Sequence, residues 1–184
     1  MIINKPQSDT LYRVLQARST DKYRDFLTGL HVETIGEVTY AVATDGKRLH
    51  YDMVAVIPDG EYSVPVCKRN QIVLEPADWQ FPNWRKVVPD SFSHMVEWSY
   101  GKNAYGDDRP GSLFQFYRAT ECPVNPKFLE CLGSGDITVF WTQADKAMAI
   151  RQGSFVAIVM PLQMDPPLKV QNGIFKLDLE TVTA

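Results

Sequence analysis

An α+β fold built on antiparallel sheets with few, short helices is what this 184-residue sequence predicts. Three observations carry the prediction. Most segments between turn signals alternate apolar and polar residues, the period of two expected of a half-buried strand. Helical apolar spacing occurs only in short pieces. The elements run helix, three strands, a connecting segment, then helix and three strands again, a weak internal repeat without an identical period.

Ser8 followed by Leu11, Val14 and Leu15 gives an N-cap and an i, i+3, i+4 stripe, so residues 8–18 read as an amphipathic helix whose polar face offers Arg13, Gln16 and Arg18. Residues 26–34 read as a strand, 35–37 as a turn, 38–44 as a second strand and 49–57 as a third, ended by Pro58-Asp59-Gly60. Residues 61–66 look extended, and 67–74 suit either a short helix or another strand. Residues 101–112, GKNAYGDDRPGS, have the composition of a loop. Beyond it, 113–117 read as a strand and 125–132 as a helix of one to two turns. Residues 137–142, 146–151 and 155–161 read as closing strands. Residues 164–184 are a tail or an added edge strand.

With 45% hydrophobic and 22% charged residues, the chain suits one ordinary domain or two small ones. The N-terminus lacks a signal peptide's basic start and apolar core, and no apolar run reaches membrane-spanning length, so a soluble cytoplasmic protein is expected. Cys67, Cys122 and Cys131 are odd in number and without CxxC spacing, which indicates reduced thiols and neither disulfides nor zinc. A net charge of -3 excludes a coat of basic charge but leaves room for a local basic stripe facing phosphates.

Catalytic patterns are missing. His31, His50 and His94 are scattered without metal-ligand spacing, and no nucleophile-elbow, Walker or GxGxxG pattern occurs. Asp107-Asp108 is the single adjacent acidic pair, and it reads as part of a solvated loop. The sequence therefore predicts no enzyme, no metal and no cofactor.

Three stretches hold more chemistry than a plain fold requires: VATDGKRL (42–49), FPNWRKVVP (81–89) and FVAIVMPLQ (155–163). Each pairs aliphatic residues with a Pro or Gly that fixes the backbone, and the first two add cations. Meeting in space, they would form a shallow apolar cleft with a basic rim, suited to an extended peptide. Kept apart, they are a turn, a linker and a core strand.

ATDGKRL resembles the ATDG-x-RL signature of bacterial DNA polymerase sliding clamps, the DNA polymerase III beta subunit family. FPNWRKVVP is similar to the segment joining the second and third domains of those clamps, and AIVMPLQ to their closing strand. DKYRDFLTGLHVET (21–34) is similar to the family's run that precedes the signature. The four appear in the family's order and cover most of residues 8–163.

The resemblance implies a DNA clamp fold, with antiparallel sheets outside, short helices lining an inner face, and two contracted clamp-like domains. These would be 1–80 (resembling clamp domain two) and 91–163 (resembling domain three), with a connector at 81–90 and a C-terminal tail at 164–184. It implies a processivity factor that encircles duplex DNA without sequence preference and tethers a polymerase, or other clamp-binding peptides, through the cleft. Thr44, Gly46, Arg48 and Leu49 would form one wall with Lys47 at the lip; Pro82, Lys86 and Val87 a second; Ile158, Met160, Pro161 and Leu162 a third. Flexible Met160 can repack around varied ligands. The DNA-facing candidates are Arg13, Arg18, Lys22, Arg24, Lys68, Arg69 and Lys127.

The chain departs from the family in length. It matches only two of three domains, both shortened; residues 91–112 are expected to replace the first helix of domain three, and Gln163 stands where the family usually has Arg. Clamp rings have six domains, so two per chain imply a homotrimer closed by a threefold rotation. A small clamp of this kind fits a bacteriophage. The alternative is a clamp-like module outside any ring, acting as adaptor or inhibitor of replication proteins.

Overall fold

Alternation along three adjacent strands decides how the molecule is layered. In β3 (Val38–Thr44), β4 (Arg48–Val54) and β10 (Phe155–Val159), Ala41, Ala43, His50, Ala157 and Val159 point to one face. Val42, Leu49, Tyr51, Val156 and Ile158 point to the other. Both faces are covered, so the strands are buried on both sides. The structure, a computed structural model, describes residues 1–55, 57–100, 116–162, 168–171 and 174–177.

The remaining elements extend from these strands. The first half holds β1 (Ile2–Asn4), α1 (Gln7–Leu15), a 3-10 turn at Asp25–Leu27, and β2 (Leu30–Ile35) before β3 and β4. The hairpin of β5 (Gly60–Lys68) and β6 (Gln71–Pro76) follows. The second half holds β7 (His94–Tyr100), helical residues 116–120, a 3-10 turn at Pro126–Leu129, and β8 (Gly135–Trp141), β9 (Met148–Gln152) and β10. All ten strands join one antiparallel sheet in the order β1-β6-β5-β2-β3-β4-β10-β9-β8-β7.

The first half thus runs strand, helix, five strands and the second strand, helical segments, three strands, and the halves meet where β4 and β10 pair antiparallel with Leu49 opposite Ile158. The β5–β6 hairpin is inserted between β1 and β2 in the first half alone. On one face of the sheet lie α1, through Leu11, Val14 and Leu15, and the helical segments of the second half, through Phe116, Phe128 and Leu129. On the other face the connector between β6 and β7 crosses the seam and seats Phe81 and Trp84 against Leu49 and Ile158.

Several sequence expectations change. Ser8 is not the N-cap of α1; Pro6 holds that position without a side-chain cap, and buried Ser8 donates its hydroxyl to the Arg69 carbonyl at 2.9 Å. The strand expected from residue 26 begins at Leu30, because the Leu27 and Thr28 amides close a 3-10 turn onto Arg24 and Asp25. Between turn and strand, Gly29 runs so close to the chain that an added Cβ would lie 2.3 Å from the Tyr62 carbonyl oxygen. Residues 67–74 take the strand alternative, split between β5 and β6.

The strand expected at 113–117 is also corrected, since Phe116 and Tyr117 begin the helical run. Only Pro126–Leu129 of the expected 125–132 helix is helical, with the Asn125 side chain accepting from the Lys127 amide at 3.1 Å. Part of the stretch expected to replace a helix is β7. Residues 168–171 and 174–177 pair as a separate hairpin, β11 (Leu168–Gln171) and β12 (Ile174–Leu177), not as an edge of the main sheet. The loop at 101–112, with Asp107 and Asp108, lies outside the described residues, as does Gln163.

Candidate functional site

The β3–β4 turn is shaped by its own side chains. Gly46 takes φ +86°, which favours glycine. The Thr44 hydroxyl donates to the Arg48 carbonyl at 2.7 Å and accepts from the Gly46 amide at 3.1 Å. Asp45 accepts from the Lys47 and Arg48 amides at 2.8 and 3.0 Å. The turn is tied to the closing strand by the Met160 amide, which donates to the Lys47 carbonyl at 3.0 Å.

Leu49 and Ile158, opposite each other across the seam, share an apolar cluster with Val42, Phe81, Trp84 and Ala149. The three sequence stretches therefore do come together. Leu49 and Ile158 are only 2% and 4% exposed, because the connector covers them. Val87, Met160 and Leu162 stay open at 54%, 46% and 46%. These three apolar side chains are exposed, whereas Leu49 and Ile158 beneath the connector are not. Thr44 is buried, Pro161 half-buried, and Gly46, Lys47, Pro82 and Lys86 are exposed.

Along the connector runs an open groove of 1290 Å³, bounded by His31 and Glu61 on one side and by Thr142 and Ala147 on the other, with Pro82, Lys86 and Val87 in its lining. The connector is latched to the sheet by hydrogen bonds. Trp84 Nε1 donates to Glu33 at 3.0 Å, Arg85 pairs with the same carboxylate, and the Phe81 amide donates to Glu61 at 3.4 Å. Burial alone would raise the Glu33 carboxyl, but the Trp84 hydrogen bond and the Arg85 charge outweigh it and hold it below the ordinary range. His31 stacks on Phe81 at 5.1 Å and sits 2.9 Å from Glu61.

One cleft candidate is placed elsewhere. Because strand side chains alternate, Arg48 points away from Leu49, toward the helical face. There its guanidinium contacts Asp45, the Gln16 and Lys127 carbonyls, and the Phe128 ring. Its backbone stays in the turn expected as a wall, while its side chain lies on the other face of the sheet.

The DNA-facing candidates divide in a similar way. Arg13 is not a free cation: it donates to the Cys131 carbonyl at 3.1 Å and to Gln152 at 2.7 Å, and lies 4.1 Å over the Phe155 ring. Burial lowers its pKa, against the pull of Asp52 and Cys131. It joins the two halves. Arg18 donates to the Val64 carbonyl at 3.2 Å. Arg24 pairs with Asp21 and Arg69 with Asp9, both at 3.1 Å. Lys22, Lys68 and Lys127 are exposed. Arg118, exposed on the helical run, is a cation on this face that the sequence reading missed, because it ended a strand at residue 117.

Among the described residues, no group of three His, Cys, Asp or Glu side chains could hold a metal ion, and no helix is long and apolar enough to cross a membrane.

No protein-family model and no curated protein matches the chain. Solved structures do. The DNA polymerase III beta chain of Streptococcus pneumoniae superposes with a TM-score of 0.61 at 14% identity, over 89% of this chain and 64% of that one. The sliding clamp of Bacillus subtilis gives 0.60 at 15%, over 89% and 64%. The beta sliding clamp of C. crescentus gives 0.59 at 14%, over 89% and 65%. The chain thus spans just under two thirds of the length of each clamp. What the similarity shows is a fold: an antiparallel ten-stranded sheet carrying short helical segments on one face, in the arrangement seen in DNA sliding clamps.

Proposed function

We propose that this protein is a DNA sliding clamp, a processivity factor without enzymatic activity that encircles duplex DNA and tethers a polymerase through a peptide cleft. The observation that carries this reading is the sliding-clamp fold along 89% of the chain, combined with the gathering of the ATDGKRL turn, the connector and the closing strand at one seam. The cleft is the rim of Val87, Met160 and Leu162 with Pro82, Lys86 and Lys47 beside it. It takes an extended peptide with apolar anchors. Buried Leu49 and Ile158 support it from below.

The helical face is the DNA side. Lys22, Lys68, Lys127 and Arg118 supply loose phosphate contact that ignores sequence, as sliding requires. Arg18, Arg24 and Arg69 add charge while engaged with protein partners. We assign 1–80 and 91–163 to two clamp-like domains joined by the 81–90 connector, with 164–184 as a tail. Two such units per chain close a six-unit ring as a homotrimer. Such a clamp would work in the cytoplasm, and a bacteriophage is the origin we propose for it.

A second reading is favoured by length. The chain spans only 64–65% of those three clamps, and a clamp-like unit of this extent can keep the cleft without closing a ring. It would then be an adaptor or inhibitor that binds the same peptides. Light scattering during gel filtration separates the two. Three chains of 20.9 kDa each, stable on dilution, support the ring, whereas a monomer at micromolar concentration leaves the adaptor.

A further inference from the structure

Arg48 lies in the signature stretch beside the cleft, yet its side chain reaches the opposite face of the sheet. Its Nη1 donates to the Lys127 carbonyl at 3.1 Å, Nη2 to the Gln16 carbonyl, and Nε approaches Asp45 Oδ2 at 3.2 Å. The carbon of the guanidinium stands 4.8 Å over the Phe128 ring. Gln16 is the C-cap of α1, in the first half, and Lys127 belongs to the 3-10 turn of the second. Carbonyls at helix ends lack partners within the helix, and a planar guanidinium spreads five N–H donors over three nitrogens and so reaches acceptors on separate segments, whereas the three donors of an ammonium radiate from one nitrogen.

The backbone of the same residue shapes the cleft turn. Its amide donates to Asp45 at 3.0 Å, and its carbonyl accepts from the Thr44 hydroxyl at 2.7 Å. One residue earlier, Lys47 accepts from the Met160 amide. Any shift of the turn that repositions Met160 must therefore move the anchor of the guanidinium, whose far end holds the segment bearing exposed Lys127.

We propose that Arg48 is a positioning residue shared by the two surfaces: its guanidinium braces the 44–49 turn through Asp45, and so the contact of that turn with Met160, and it also holds Lys127 where the ammonium reaches DNA phosphate. This rests on the clamp reading above. Arg48 touches neither partner peptide nor DNA, being only 15% exposed in its side chain.

The test uses the full chain as wild type, Arg48→Met, Arg48→Lys, Lys127→Met and the Arg48→Met/Lys127→Met double variant. Two probes are read: a fluorescent peptide bearing a Gln and a Leu-Phe pair, and a linear DNA duplex titrated with salt. Losing one phosphate contact lowers the slope of log affinity against log salt by about 0.9. Lys127→Met and Arg48→Met should each lower it by about that much, and the double variant by no more than either. Peptide affinity should fall about tenfold in both Arg48 variants, a loss of charge-assisted hydrogen bonds, and stay within twofold in Lys127→Met.

A merely structural arginine would lower the melting temperature without this shared salt slope. Arg48→Lys keeps the charge beside Asp45 and gives a folded comparison if Arg48→Met does not fold. Additive slopes in the double variant, or peptide binding within twofold of wild type in Arg48→Lys, would overturn the proposal and leave the clamp reading intact. A wild-type chain that binds neither probe would remove both.

Discussion

Lowering the pH should destabilise this protein through one residue, His50. The ring is fully buried at the seam, with Nδ1 3.0 Å from the Arg13 carbonyl, Nε2 3.7 Å from Cys131 Sγ, and the Phe155 ring packed edge-on at 5.2 Å. A carbonyl only accepts, so Nδ1 carries the proton and Nε2 is left as the acceptor facing the thiol. Burial pushes the Cys131 thiol up to about 11, which keeps it protonated. Burial likewise drives the His50 pKa down from 6.5 to about 3, against the hydrogen bond that Nδ1 donates to the Arg13 carbonyl and with help from the charges of Arg48 and Arg13. The folded state therefore binds a proton less readily than the unfolded chain. The contribution of His50 is complete above the unfolded value and is lost as pH falls from there toward the folded value. Between pH 7.5 and pH 5 the loss is about 2 kcal/mol, taking 1.36 kcal/mol per pH unit below the unfolded pKa. Urea denaturation of wild type and His50→Gln at both pH values isolates the effect, because carboxylates such as Asp52 titrate in both proteins. The wild type should lose about 2 kcal/mol more than the variant over this interval. Equal losses would refute the reasoning.

Two further predictions concern the cleft and the fold. Met160→Ala with Leu162→Ala removes apolar surface from side chains already 46% exposed, so stability should change by less than about 1 kcal/mol. Peptide affinity, read by fluorescence anisotropy, should drop roughly thirtyfold, the equivalent of about 2 kcal/mol of lost apolar burial; undiminished binding would move the peptide site elsewhere. Gly29→Ala places a Cβ 2.3 Å from the Tyr62 carbonyl and 2.4 Å from the Trp79 ring. The backbone oxygen cannot swing aside, so urea denaturation should show a loss of roughly 2–3 kcal/mol. An unchanged midpoint would mean that the strand entering at Leu30 is less tightly held than described.

Legibility in the sequence followed the range of the interactions. The strand at 38–44 was readable to the residue because its apolar spacing and the Asp-Gly turn after it are local signals. β7 was missed because only Val96 among its first residues packs inward, while His94, Met95 and Glu97 are exposed, so the stretch lacks apolar alternation. The helical run from Phe116 was lost because its aromatic start also suits a strand. The cleft stretches could be named from their Pro, Gly and cation pattern, but not the covering of Leu49 by Trp84. The protein partners of Arg13 and Arg48 were hidden for a related reason. A basic residue on an amphipathic pattern reads as solvated, and nothing local reveals an acceptor 118 or 79 positions away.

The central claim is topological, and retention on nicked circular duplex DNA tests it most directly. A closed ring assembled on the circle should survive a high-salt wash and be released when the circle is cut once, because a ring slides off an end. Retention that falls with salt in the same way on circular and linear DNA would contradict it, and would reduce the protein to a clamp-like fold held by charge.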